Sequence, residues 1–190
     1  MSAPEGASDT GPSVTTPDPQ AAGGPGPVLR DRAAGTHWLT SAERSAWLSL
    51  AGVMIKLPAA LDAQLERDAG LSYMEYMVLA MLSEQPNRML RMSELAAFIN
   101  ASLSRLSHVA TRLERQSFIR REPDPRDGRY TNAVLTDIGM DKVVATAPGH
   151  VAAVRTFVID ALTPSQLDGL NTAGEQILGR VDPTGRRTPR

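Results

Sequence analysis

Arg120-Arg121-Glu122-Pro123-Asp124-Pro125-Arg126-Asp127-Gly128-Arg129-Tyr130-Thr131-Asn132-Ala133-Val134-Leu135-Thr136 reads as two short strands around a charged turn. Asp127-Gly128 is the strongest short hairpin signal, because a two-residue turn requires positive backbone angles that Gly tolerates. Strands are expected near 118–122 and 131–135, with Arg126 and Arg129 at the tip between them.

Upstream of this hairpin the apolar period is helical. Ser72-Tyr73-Met74-Glu75 fits a capping box, with Leu71 and Tyr76 placed as a hydrophobic staple. The helix it opens carries Met77, Val78, Met81 and Leu82, and stops at Gln85-Pro86-Asn87. A short helix is expected over about 92–99, with Leu95, Ala96 and Ile99 inward. Asn100-Ala101 turns the chain, and Ser102 is a good N-cap for a longer helix to about residue 116. Helix, turn, helix and a basic-tipped hairpin is the order of a winged helix-turn-helix, a module that reads duplex DNA.

The segments flanking that module are also helical. Thr40-Ser41-Ala42-Glu43 fits another capping box, and Trp47, Leu50, Met54, Leu57, Leu61 and Leu65 follow at three- and four-residue spacing. Pro58 should kink or split this helix. Thr136 caps a long helix expected to loosen at Pro148-Gly149 and to resume at Val151. Thr163-Pro164 opens a last helix with Pro at its first position, running to about residue 181. The fold class is therefore mostly α with a small β-hairpin wing.

Residues 1–35 are rich in Gly, Pro, Ala, Ser and Thr without hydrophobic period and read as a disordered tail. Residues 182–190 are a short basic tail. Between them, 36–181 divides into a winged helix-turn-helix at about 70–136 and helices at about 40–69 and 137–181 from the two chain ends. These end helices are strongly apolar. Leu57, Leu61, Phe157, Val158, Leu162, Leu167, Leu170 and Ile177 exceed what a small three-helix core with a wing needs. Pairing the ends between two chains would bury them in a homodimer and set two reading helices about 34–36 Å apart.

The reading helix enters the major groove by its N-terminal end. Leu106, Val109 and Leu113 share an inward face, leaving Ser102, Ser104, Arg105, Ser107 and His108 toward DNA. Arg105 can donate both forks of its guanidinium to a guanine, and the serines can approach and donate to phosphates. Arg112, further along, suits the backbone better than a base. At the wing, Arg129 is expected in the narrow minor groove, held by Asp127, with Arg126 beside it. Arg120 and Arg121 stand evenly between contact and ordinary surface.

Net charge is −1, yet the nine arginines from Arg88 to Arg129 face five acidic residues, a local +4 against −5 (11 basic, 16 acidic) elsewhere. A cationic face on an acidic body suits DNA binding better than the whole-chain figure. Cysteine is absent, which excludes disulfides, thiolate metal sites and thiol-based oxidant sensing. No apolar run appears long enough to span a bilayer, and the first charged residue, Glu5, is acidic, so neither membrane insertion nor a secretory leader is expected. A cytoplasmic location follows. An enzyme finds no support: His37, His108 and His150 lack metal spacing, and neither a phosphate-cradling Gly loop nor a nucleophile elbow is present. No cofactor is expected. The remaining alternative is a winged-helix protein-interaction or architectural module without an operator.

The sequence resembles the MarR family of bacterial transcriptional regulators over about 40–181. The family's Asp, any residue, Arg, five residues, Leu-Thr pattern is met by Asp127, Arg129, Leu135 and Thr136. Glu94-Leu95-Ala96 and Arg112-Leu113-Glu114 also stand in the family's order. The resemblance implies a homodimer joined through its first and last helices, bound to a pseudo-palindromic operator on double-stranded DNA. Many members are repressors released by a small molecule held between the two domains. Trp47, Tyr76 and His150 are the candidate contacts for such an effector, with His37, Trp38 and Tyr73 near them in type; a Trp or Tyr at helical spacing is more often core. Ser117 stands where the family commonly has Gly, and would bear modest strain if that position is left-handed.

Overall fold

The computed structural model describes residues 35–182, so both expected tails, apart from residues 35 and 182, lie outside the described residues. The elements are α1 (Ser41–Ala69), α2 (Tyr73–Ser83), β1 (Met89–Arg91), α3 (Met92–Phe98), α4 (Leu103–Arg115), β2 (Ile119–Pro123), β3 (Thr131–Leu135), α5 (Asp137–Val154) and α6 (Pro164–Val181), with a π-helical turn at Arg155–Ile159. The chain divides into two compact units within α1, one ending at Val53 and the other beginning at Met54.

In the first unit, the Thr40 hydroxyl accepts from the Glu43 amide at 3.3 Å, while Glu43 Oε2 accepts from the Thr40 amide at 2.7 Å. The capping box thus forms as the sequence indicates. Trp38, Leu39, Trp47, Leu48 and Val53 are exposed there.

The second unit holds the core. Leu65, Leu71, Val78, Leu79, Leu82, Leu95, Leu106, Ala110, Leu113, Ile119 and Ala133 close around one another with almost no exposure. Four helix starts here are fixed by a side chain, whereas α3 begins after Arg91 without one. Ser72 and Glu75 reciprocate as a capping box, Ser102 accepts from the Arg105 amide, Thr136 from Gly139 and Thr163 from Gln166. Leu71 and Tyr76, the expected staple, are both buried. The inward face of α4 includes the fully buried Ala110, whereas Val109 is only partly covered.

Four expectations need correction. The sheet has three antiparallel strands in the order β1-β3-β2, not two. Met89, Leu90 and Arg91 pair with Val134, Ala133 and Asn132; a three-residue strand is too short to display a period of two. The turn at the wing tip is not a two-residue hairpin. Pro123 pairs with Thr131, leaving 124–130 as the loop, and Gly128 is absent from the positive-φ glycines. Successive Asx turns shape that loop instead: Asp124 Oδ1 accepts from the Arg126 amide at 2.8 Å, and Asp127 Oδ1 from the Arg129 amide at 3.1 Å.

The prolines do not interrupt their helices. Pro58 does not split α1, which runs on through it, and Pro148-Gly149 lies inside one continuous α5. Both prolines are exposed, where water can satisfy the carbonyls that they leave unpaired. Helical regularity is lost later, at the π-helical turn, where Arg155 donates to Asp160. Finally, α1 is long and apolar enough to cross a membrane by length and composition, contrary to the expectation that no such run exists. Arg44, Lys56 and Pro58 interrupt its apolar stretch, so the average is high although no unbroken run shows.

The end of α4 explains a sequence oddity. Ser117 adopts φ +61°. Its amide donates to the Glu114 carbonyl and the Phe118 amide to the Leu113 carbonyl, the paired bonds of a Schellman cap. That geometry favours Gly, so Ser117 is strained as the sequence suggests. Thr136 Oγ1 donates to the Ser117 carbonyl at 2.7 Å, tying this cap to the start of α5.

Candidate nucleic-acid interface

The N-terminal end of α4 offers Ser102, Ser104, Arg105 and His108 to solvent. The Ser102 hydroxyl is occupied in capping, at 3.2 Å from the Arg105 amide. Arg105 makes no ion pair among the described residues, so its guanidinium is available to an outside acceptor. Ser107 is half-buried and engaged rather than free: its Oγ accepts from Arg121 Nη1 at 3.4 Å.

Arg121 is the residue that sequence reasoning underrated. From β2 it reaches back across α4, with Nε 2.8 Å from Glu114 Oε2 and Nη2 3.1 Å from Thr111 Oγ1. Its amide also donates to Glu114 Oε1 at 2.8 Å. Hydrogen bonds from Arg121 hold the Glu114 carboxyl below its usual range. Reading helix and wing are therefore braced as one body, and Arg121 acts inside the protein. The signal was present in sequence only as a carboxylate and an arginine seven residues apart across a helix end.

The wing loop is anchored on its other side by Asp124. This buried carboxylate takes the Arg126 amide and Arg91 Nε, the latter at 2.8 Å, and these hold it below the ordinary Asp range, the amide foremost. Arg91 also stacks 4.5 Å from the Tyr130 ring centroid. At the tip, Asp127 grips Arg129 through Nε at 2.9 Å and Nη2 at 2.7 Å, the pair expected from sequence. The Arg129 side chain remains 85% exposed despite that pair. The Arg126 side chain is open and carries no ion pair among the described residues.

Arg112 has a different partner from the phosphate expected of it. Its Nε lies 3.0 Å from Oε1 of the fully buried Glu75, within ion-pair distance but without hydrogen-bond alignment. Six of the nine arginines between Arg88 and Arg129 are thus matched to carboxylates: Arg88, Arg91, Arg112, Arg120, Arg121 and Arg129. Among the described residues, Arg105, Arg115 and Arg126 are not.

Of the candidate effector contacts, Tyr76 and His150 come together, with ring centroids 4.6 Å apart, and Tyr73 lies 6.3 Å from His150. Burial lowers the His150 pKa. His150 Nδ1 and the buried Gln64 Oε1 have no partner among the described residues. Trp47 belongs to the first unit, where it is exposed.

The MarR family model matches residues 71–131, the stretch from α2 to the wing. Among solved structures, Sco3205, a MarR family transcriptional regulator from Streptomyces coelicolor in complex with DNA, is 41% identical with a TM-score of 0.75, covering 83% of this chain and 98% of that one. AbsC, a MarR family transcriptional regulator from the same organism, is 39% identical with a TM-score of 0.73, covering 77% and 98%. CouR from Rhodococcus jostii RHA1, bound to p-coumaroyl-CoA, shares the fold at 22% identity and a TM-score of 0.60, covering 74% and 93%. No curated protein matches the chain in sequence.

Proposed function

The chain belongs to the MarR family of transcriptional regulators, and on that premise we propose that it is a homodimeric repressor of a pseudo-palindromic operator, released by a small molecule. The observation that carries this reading is α4, which leaves an unpaired Arg105 at its open N-terminal end and has a wing braced against its flank. An α-helix presented in this way fits the major groove, while Arg129 suits the minor groove beside it. The DNA complex of the 41%-identical relative supports the same assignment.

Residues 70–136 would read DNA, and 40–69 with 137–181 would join two copies in the cytoplasm. Support for the pairing comes from α6, which buries no residue in its own chain, and from the exposed Phe157, Leu170 and Ile177. Leu61, by contrast, is buried within its own chain and is not needed for pairing. The effector would sit against Tyr76 and His150, where unpartnered polar atoms can receive it.

Two results test the reading. Arg105→Ala is expected to weaken the selected operator by about 1–3 kcal/mol more than it weakens random duplex, measured by fluorescence anisotropy at one salt concentration. Equal losses on both would remove Arg105 from base reading. Arg121→Met should weaken operator binding about tenfold, as for one member of a coupled network, yet keep the slope of log K against log salt. A slope smaller by about one would make Arg121 a phosphate ligand instead of a brace.

A further inference from the structure

Within residues 71–136, only two large apolar side chains are exposed, Leu103 and Tyr130. Tyr130 has an occupant, the Arg91 guanidinium stacked on its ring. Leu103 has none, and it is the first residue of α4. Single exposed leucines on a protein surface need no explanation in general. This one occupies the helix end that enters the groove, between the cap Ser102 and the exposed Ser104 and Arg105.

Helical spacing places Leu103, Ser107 and Thr111 in one row. Arg121 covers the two inner members, bonding to Ser107 Oγ and Thr111 Oγ1. Leu103 lies one turn beyond that cover, toward the tip. Polar groups on this tip can read donors and acceptors, but an alkyl group can read only one feature of the major groove, the 5-methyl of thymine. We propose that Leu103 is a specificity-determining residue that packs against a thymine methyl next to the base read by Arg105. This rests on the proposed operator binding and adds a base preference to it.

The test uses the full chain and an operator selected from a random duplex pool. Each thymine is replaced singly by deoxyuridine, which removes the methyl and leaves base pairing intact. Wild-type protein should lose about three- to fourfold in affinity at one thymine in each half-site, the size of one methyl-sized group withdrawn from apolar contact. Leu103→Ala should abolish that penalty, whereas Arg105→Ala should retain it. Because Leu103 is exposed, Leu103→Ala should unfold at the wild-type temperature, and this separates lost contact from lost fold. Absence of any such position, or a penalty that persists in Leu103→Ala, overturns the assignment while leaving operator binding standing. Failure of the wild-type chain to prefer any sequence overturns the operator reading and this inference with it.

Discussion

Gly139→Ala is expected to destabilise the protein by about 3 kcal/mol, lowering the thermal midpoint by about 6–12 °C. Gly139 is buried in the first turn of α5, where its amide donates to the Thr136 hydroxyl at 2.9 Å. A Cβ built there falls on the Phe118 carbonyl oxygen, far inside van der Waals contact, and lies 2.7 Å from Leu135 Cδ1. Neither obstacle can yield cheaply. The Phe118 carbonyl already accepts from the Thr136 amide at 3.0 Å, and Leu135 is part of the core. The methyl therefore has to push α5 away from the wing and its cap, and close-packed interiors resist such shifts. Urea unfolding measures the loss; a variant within about 0.5 kcal/mol of wild type would show that this junction is slack.

The largest effect on DNA binding is expected from the paired substitution Leu170→Glu and Ile177→Glu. These residues lie seven apart on α6, both exposed, on a helix that contributes nothing to its own chain's core. Charges there leave the reading module's packing untouched but place repelling carboxylates within the proposed pairing surface. The expected outcome is a monomer by light scattering, with operator affinity lower on the order of 10³-fold, because one half-site then binds without the other held nearby. A dimer with unchanged affinity would locate the pairing surface elsewhere.

Much of this architecture was legible in the sequence because it depends on local chemistry. Ser72-Glu75, Ser102, Thr136 and Thr163-Pro164 cap the helices that the sequence assigns to them, since each needs only neighbours within three residues. The left-handed Ser117 was foreseeable for the same reason. What escaped were pairings distant along the chain. Strand β1 gains its identity from β3, more than 40 residues later. Glu75 meets Arg112 across the core, and Arg91 meets Asp124 across the sheet. The Asp-Gly signal located the hairpin correctly but named the wrong turn, because Asp124 and Asp127 form their own side-chain bonds to the backbone and make a seven-residue loop stable. At the candidate interface, Arg105 and Arg129 are exposed, whereas Arg112 and Ser107 are partly committed within the fold.

The internal matching of six arginines bears on how this regulator travels through a genome. A polyanion of arbitrary sequence holds a protein chiefly through unmatched positive charge. Between Arg88 and Arg129, among the described residues, that charge resides in Arg105, Arg115 and Arg126, while their six neighbours carry carboxylate partners of the same chain. On the proposed operator binding, stops on unrelated sequence would be correspondingly brief. Occupancy would then depend on shape and base edges at the right address, with few copies held by the rest of the chromosome.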